Sequence, residues 1–194
     1  MDILLSSTAL VALAEIGDKT QLLAILLATR FSRPLPIIAG ILAATLLNHF
    51  LAALAGHGVA GLLDSTAFRV TVALGFVGMG LWTLLPDRID EDEMKLPGTR
   101  GIFMGTAVAF FLVEMGDKTQ IATVALGAQF GRSLLDVSLV TIGTTLGMMI
   151  ANVPAVYLGE TLIRRVRLGL VRALAASLFV ALGLWMLWGA LGPG

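Results

Sequence analysis

Hydrophobic residues run along this chain in long, nearly unbroken stretches, not at the spacing of an amphipathic helix. Six can be drawn, at about residues 3–29, 34–56, 67–85, 101–129, 134–159 and 168–190. Each reaches the roughly 20 residues that a helix needs to cross the hydrocarbon of a bilayer. A soluble helical protein would carry polar faces at helical period, and these stretches do not. The pattern predicts an all-α integral membrane protein of six transmembrane helices. The longest polar interval, residues 86–100, is too short for an appended soluble domain and reads as a linker.

The pattern also repeats. Glu15-Ile16-Gly17-Asp18-Lys19-Thr20-Gln21 returns 99 positions later as Glu114-Met115-Gly116-Asp117-Lys118-Thr119-Gln120, and Phe31 falls on Phe130. After a four-residue insertion the offset becomes 103. Gly40 and Gly56 then match Gly143 and Gly159, Arg69 matches Arg172, and the stretch Phe76–Trp82 matches Phe179–Trp185. The expected organisation is a first three-helix repeat over residues 1–85, a linker over 86–100 and a second three-helix repeat over 101–194. Three spans per unit is an odd number, so the second unit is expected to cross the membrane inverted. Inverted repeats recur in secondary transporters, with the substrate site near the midplane where the repeats meet.

Composition agrees with a membrane protein: 57% of residues are hydrophobic and 13% charged, and the mean hydropathy is +0.93. The distribution of basic residues then orients the chain. The first, third and fifth loops hold Arg30 and Arg33; Arg88, Lys95 and Arg100; and Arg164, Arg165, Arg167 and Arg172. The opposite side holds only Arg69 and Arg132. The linker is therefore expected in the cytoplasm and both termini outside it. Arg69 and Arg172 read as span-end anchors whose heads snorkel to the interface. The N-terminus has Asp2 and no basic residue before Lys19, so the first stretch reads as a retained span and not a cleaved leader. With no cysteine there are no disulfides, thiolate ligands or cysteine nucleophile. The formal net charge is zero and no soluble basic surface is visible, which sets nucleic-acid partners aside.

The two motifs place charge in the middle of apolar stretches, where each buried charge costs about 2.5–3.5 kcal/mol on insertion scales. On a continuous helix Glu15, Asp18 and Lys19 would share one face, as would Glu114, Asp117 and Lys118. Gly17 and Gly116 would permit close helix approach or local unwinding. Thr20, Thr119, Gln21 and Gln120 offer neutral oxygens nearby. Should the first and fourth spans cross, four carboxylates and two ammoniums converge with a sum of −4 + 2 = −2, which one divalent cation would neutralise. Oxygen ligands suit Mg²⁺, Ca²⁺ and Mn²⁺, whereas imidazole and sulfur favour Zn²⁺ and Cu⁺. The candidate metal residues are Glu15, Asp18, Glu114 and Asp117, with Asn48 and Asn152 as further or supporting ligands. His49, which aligns with Asn152, and His57 both lie in the first half, so a two-fold site cannot use them symmetrically; both read as packing or loop residues, with His49 the alternative to Asn48 as a ligand from the second span. Met115 reads as packing.

The doubled Glu-x-Gly-Asp-Lys-Thr motif in a six-span chain of this size resembles the small two-repeat divalent-cation:proton exchangers. That family includes bacterial manganese exporters and the Golgi and chloroplast-envelope manganese/calcium transporters. The resemblance covers both repeats and implies proton-coupled Mn²⁺ or Ca²⁺ transport, with Glu15, Asp18, Glu114 and Asp117 at the core of the site. No cofactor is implied, since the metal is cargo and the proton the coupling ion. A short chain without an organelle-targeting segment resembles the bacterial members, so export of Mn²⁺ across the inner membrane is the expected role. Ca²⁺/H⁺ exchange through the same site is the alternative. An intramembrane metal-dependent enzyme would need one asymmetric constellation with a nucleophile and paired base, and neither is visible. The oligomeric state is left open.

Overall fold

The computed structural model describes residues 2–60, 65–85, 101–159 and 167–191. The expected linker, residues 86–100, and the loop residues Arg164 and Arg165 lie outside these. The described residues form eight helices and no strand: α1 (Ile3–Glu15), α2 (Lys19–Phe31), α3 (Pro34–Val59), α4 (Thr66–Thr83), α5 (Ile102–Glu114), α6 (Lys118–Phe130), α7 (Leu134–Leu158) and α8 (Leu168–Leu191). Four of them, α3, α4, α7 and α8, are long and apolar enough to cross a membrane. In the first and fourth apolar stretches, where the sequence left close approach and local unwinding at the glycine both open, the helix is interrupted. Each is cut at its motif into two helices of 13 residues. Such a helix is about 20 Å long, less than the hydrocarbon thickness.

The cut is a backbone event. Gly17 has φ +84° and Gly116 φ +77°, a region costly to any residue with a Cβ. Ile16 and Met115 before them are extended, and Asp18 and Asp117 after them are the extended N-caps of α2 and α6. Gln21 and Gln120, each one turn on, accept the Gly17 and Gly116 N–H groups at 2.9 and 2.6 Å. Neither aspartate side chain caps its helix; the glutamines bond the residue before each N-cap.

Polarity is arranged inside out. Leu46, Leu47, Phe50 and Leu51 of α3 and Ile142, Leu146 and Ile150 of α7 are exposed, while Thr45, Asn48, His49, Thr144, Thr145 and Asn152 on the same helices are buried. An apolar surface this extensive matches hydrocarbon, not water. Along α3 the apolar core residues Ile37, Ile41 and Ala44 come first, then Thr45, Asn48 and His49, then Ala53. Along α7 the order is Val137 and Val140, then Thr144, Thr145, Met148 and Asn152, then Ala155 and Val156. Two apolar clusters thus flank a polar layer.

Helix contacts follow the sequence repeat. A Cβ on Gly40 of α3 would lie 2.7 Å from the Phe103 carbonyl of α5, and one on Gly143 of α7 would lie 2.8 Å from the Leu4 carbonyl of α1. Leu4 and Phe103 are 99 residues apart, Gly40 and Gly143 are 103 apart. The close approaches are therefore equivalent. Where α4 packs on α8, the equivalent Phe76 and Phe179 meet with ring centroids 6.3 Å apart.

Candidate metal centre

The chain breaks bring the ends of four helices together in the polar layer. Carboxylate oxygens of Glu15, Asp18 and Asp117 lie within 4.8 Å of one another, and all three residues are buried. Two come from the first motif and one from the second. Like charges this close in a dry interior repel strongly unless a cation or donors offset them. Part of that offset is visible. The Thr20 hydroxyl donates to Glu15 Oε2 at 2.5 Å, and the Thr119 hydroxyl of the other motif donates to Glu15 Oε1. Lys19 Nζ stands 3.8 Å from Asp117 Oδ1, an ion pair between motifs.

Glu114 is buried but lies outside the group of three. Its carboxylate is held on α3, accepting from the Thr45 hydroxyl at 2.9 Å and from Asn48 Nδ2 at 3.0 Å. Asn48 Nδ2 also donates to the Phe111 carbonyl at 3.1 Å, fixing its amide plane. Asn48 is thus a donor to a carboxylate in this arrangement. Lys118 is nine-tenths buried; its ammonium lies 5.7 Å from the Trp82 ring centroid and 3.4 Å from the Leu85 carbonyl. Such cation–π contact is favourable for a desolvated ammonium.

The Gln21 and Gln120 side-chain carbonyl oxygens each accept the N–H of their motif glycine. Gln21 Nε2 also donates to the Ala151 carbonyl of α7 at 3.0 Å, tying the first loop to that helix. Asn152 is fully buried on α7, and its Nδ2 donates to the Met148 carbonyl at 3.1 Å. His49 is buried and outside the carboxylate group, and His57 Nδ1 contacts the Gly131 carbonyl away from it. Arg69 donates to the Gly189 carbonyl at 2.7 Å, at the C-terminal end of α8. Thr45 was not singled out from sequence. Its signal was available: it sits three residues before Asn48 and four before His49, one buried polar stripe on an otherwise apolar helix.

Comparison with known proteins fits this geometry. The family described as "Divalent cation/proton antiporter GDT1" matches residues 3–91 and 102–193. The chain is 48% identical over 184 residues to a Vibrio cholerae protein named "Putative manganese exporter", covering 95% of this chain and 90% of that one. It is 28% identical over 208 residues to GDT1-like protein 4 of Oryza sativa subsp. japonica, covering 94% and 72%. It is 26% identical over 215 residues to GDT1-like protein 5 of Arabidopsis thaliana, covering 92% of each. No solved structure matches it. The chain belongs to the GDT1 family of divalent cation/proton antiporters.

Proposed function

We propose that this protein exports Mn²⁺ from the bacterial cytoplasm in exchange for protons, with Glu15, Asp18 and Asp117 as the core of the cation site and Glu114 as its fourth acid. The observation that carries the reading is the meeting of three carboxylates from two motifs 99 residues apart. An all-oxygen group of this kind suits a hard divalent cation. The name of the Vibrio cholerae relative supports manganese as the cargo.

The reading includes a topology. Residues 1–85 and 101–194 are two three-span repeats of opposite orientation joined by a cytoplasmic linker over 86–100, with both termini outside and the chain in the inner membrane. In it, α1 with α2, and α5 with α6, each make one interrupted span. Half-helix ends meeting at a buried site are a recurrent transporter design. Protons and metal compete for the same carboxylates: metal bound, the acids are ionised and offset; metal gone, protons replace it and the site reorients. The Ca²⁺ reading rests on the same oxygens, because Ca²⁺ and Mn²⁺ differ here mainly in the size and rigidity of the cage.

The test is ion flux in proteoliposomes, comparing Mn²⁺ and Ca²⁺ with and without a pH gradient. Mn²⁺ movement driven by an opposing proton gradient is the expected result. Flux indifferent to the gradient would overturn the exchange mechanism, and Ca²⁺ flux exceeding Mn²⁺ flux would exchange the first reading for the second. The chain has no cysteine, so single cysteines near each terminus and in the linker report topology directly. Labelling of the linker from outside would overturn the orientation.

A further inference from the structure

Glu114 is held in a way that Glu15 is not. Both of its oxygens accept from α3, Oε1 from the Thr45 hydroxyl at 2.9 Å and Oε2 from Asn48 Nδ2 at 3.0 Å. All three residues are buried. Asn48 Nδ2 also donates to the Phe111 carbonyl, about one turn before Glu114 on α5. The donors have little room to shift along α5, because the two helices approach backbone to backbone at Gly40, where a Cβ would lie 2.7 Å from the Phe103 carbonyl. A buried carboxylate with both oxygens bonded to neutral donors is well satisfied where it stands.

Thr45 and Asn48 are three residues apart and share one face of α3. At the offset of 103 their counterparts on α7 are Met148 and Ala151. Neither has a hydroxyl or an amide to offer, so this pair of donors exists in one repeat only. Glu15 instead accepts from Thr20 and Thr119, beside Asp18 and Asp117. One motif glutamate thus sits in the carboxylate group, and the other is tied to a neighbouring helix. Charge balance agrees with that division. When ionised, Glu15, Asp18 and Asp117 with Lys19 sum to −3 + 1 = −2, which one divalent cation neutralises without a fourth acid in contact. Affinity for a hard cation follows the number of charged ligands, and a carrier that must release its cargo gains from holding one ligand back.

We propose that Thr45 is a positioning residue: with Asn48 it docks Glu114 on α3, apart from the cation held by Glu15, Asp18 and Asp117, and so sets how tightly that cation is bound. The inference rests on the cation site proposed above. Undocking frees Glu114 to act as a further charged ligand, and the two bonds to α3 are what that step must break. Weakening the dock therefore tightens binding and slows release.

The experiment compares the full chain with Thr45→Val, which removes the hydroxyl and keeps the shape, by Mn²⁺ binding in detergent and Mn²⁺ flux in proteoliposomes. The Kd for Mn²⁺ should fall about tenfold, the worth of one hydrogen bond to a charged acceptor, and maximal flux should fall with it. Thr45→Ser, which returns the hydroxyl, should reverse both changes. In a Glu114→Gln background Thr45→Val should leave the Kd where Glu114→Gln alone puts it, because the two residues act as one unit. Weaker or unchanged binding by Thr45→Val, or the same effect whether or not Glu114 is present, would overturn the dock while leaving the three-acid site standing. Should Thr45→Val not fold, Thr45→Ala in the same two backgrounds decides by the same criteria. Failure of the unsubstituted protein to bind Mn²⁺ would instead overturn the cation site, and this inference with it.

Discussion

The two motif loops share six of seven residues and one backbone path, yet the rest of the molecule treats them differently. Gly17 is buried with Leu168 of α8 lying over it, whereas Gly116 is exposed and Met115 beside it is 58% exposed. Glu15 is bound by threonines of both motifs and sits with Asp18 and Asp117; Glu114 is bound by Thr45 and Asn48 of α3. Identical local sequence fixes the loop, because the positive φ and the glutamine acceptor lie within five residues. Its surroundings come from segments that have diverged, where Leu168 stands for Ser65, Met148 for Thr45 and Asn152 for His49. A duplicated motif thus need not give two equal half-sites.

The largest effect expected from this comparison is at the three clustered acids. Asp18→Asn, Asp117→Asn and Glu15→Gln should each abolish exchange, a loss of at least about a hundredfold in proteoliposome flux, since the amide keeps the shape but supplies neither charge nor a titrating group. Normal Mn²⁺ flux with unchanged pH dependence in both aspartate variants would remove them from the proposed site. Glu114→Gln should weaken Mn²⁺ binding less than Glu15→Gln does, because Glu114 stands outside the group of three and already has two neutral donors. Equal losses of affinity at the two glutamates would restore a symmetric four-acid site and break the comparison.

A smaller effect separates the glycines. Alanine at either position meets a left-handed backbone, costing roughly 1–2 kcal/mol. At Gly17 the added methyl would also meet Leu168 Cδ2 at 2.8 Å, whereas at Gly116 it meets nothing within 4 Å. Gly17→Ala should therefore lower the thermal unfolding midpoint in detergent more than Gly116→Ala. The reverse order would mean that the loop over Gly17 is not held as described.

Much of this was legible in the sequence, and the limits have physical causes. Long apolar stretches mark helices reliably, and α3, α4, α7 and α8 follow the expected runs within a few residues. The doubled motif pointed to the acids, and the offsets of 99 and 103 pointed to equivalent contacts such as Gly40 with Gly143. The helix breaks were open to either reading, because a lone glycine inside an apolar run is compatible with a continuous helix as well as a broken one. What decided it was a side-chain acceptor one turn later, Gln21 or Gln120, which reads in sequence as one more polar residue of the motif. Thr45 was half legible: its spacing to Asn48 and His49 marks a polar stripe, but which glutamate that stripe faces is a tertiary fact that no spacing rule contains.

The glutamines give the smallest and most specific test of the difference between the loops. Both use Oε1 to accept a glycine N–H, and glutamate at either position can still accept that bond. Gln21 has a second bond, from Nε2 to the Ala151 carbonyl of α7, which a carboxylate cannot donate. Gln21→Glu therefore places an acceptor opposite a buried carbonyl and adds a charge beside three others. The lost bond alone costs about 1 kcal/mol, and the facing lone pairs add to that. Gln120 is more exposed than Gln21, so Gln120→Glu should keep its loop intact and be the milder change. Stability measured by thermal unfolding, alongside Mn²⁺ flux, should rank Gln120→Glu nearer the unsubstituted protein on both. Matching losses for the two variants would mean that the tie from Gln21 to α7 contributes nothing distinctive, and that the loops differ only in what covers them.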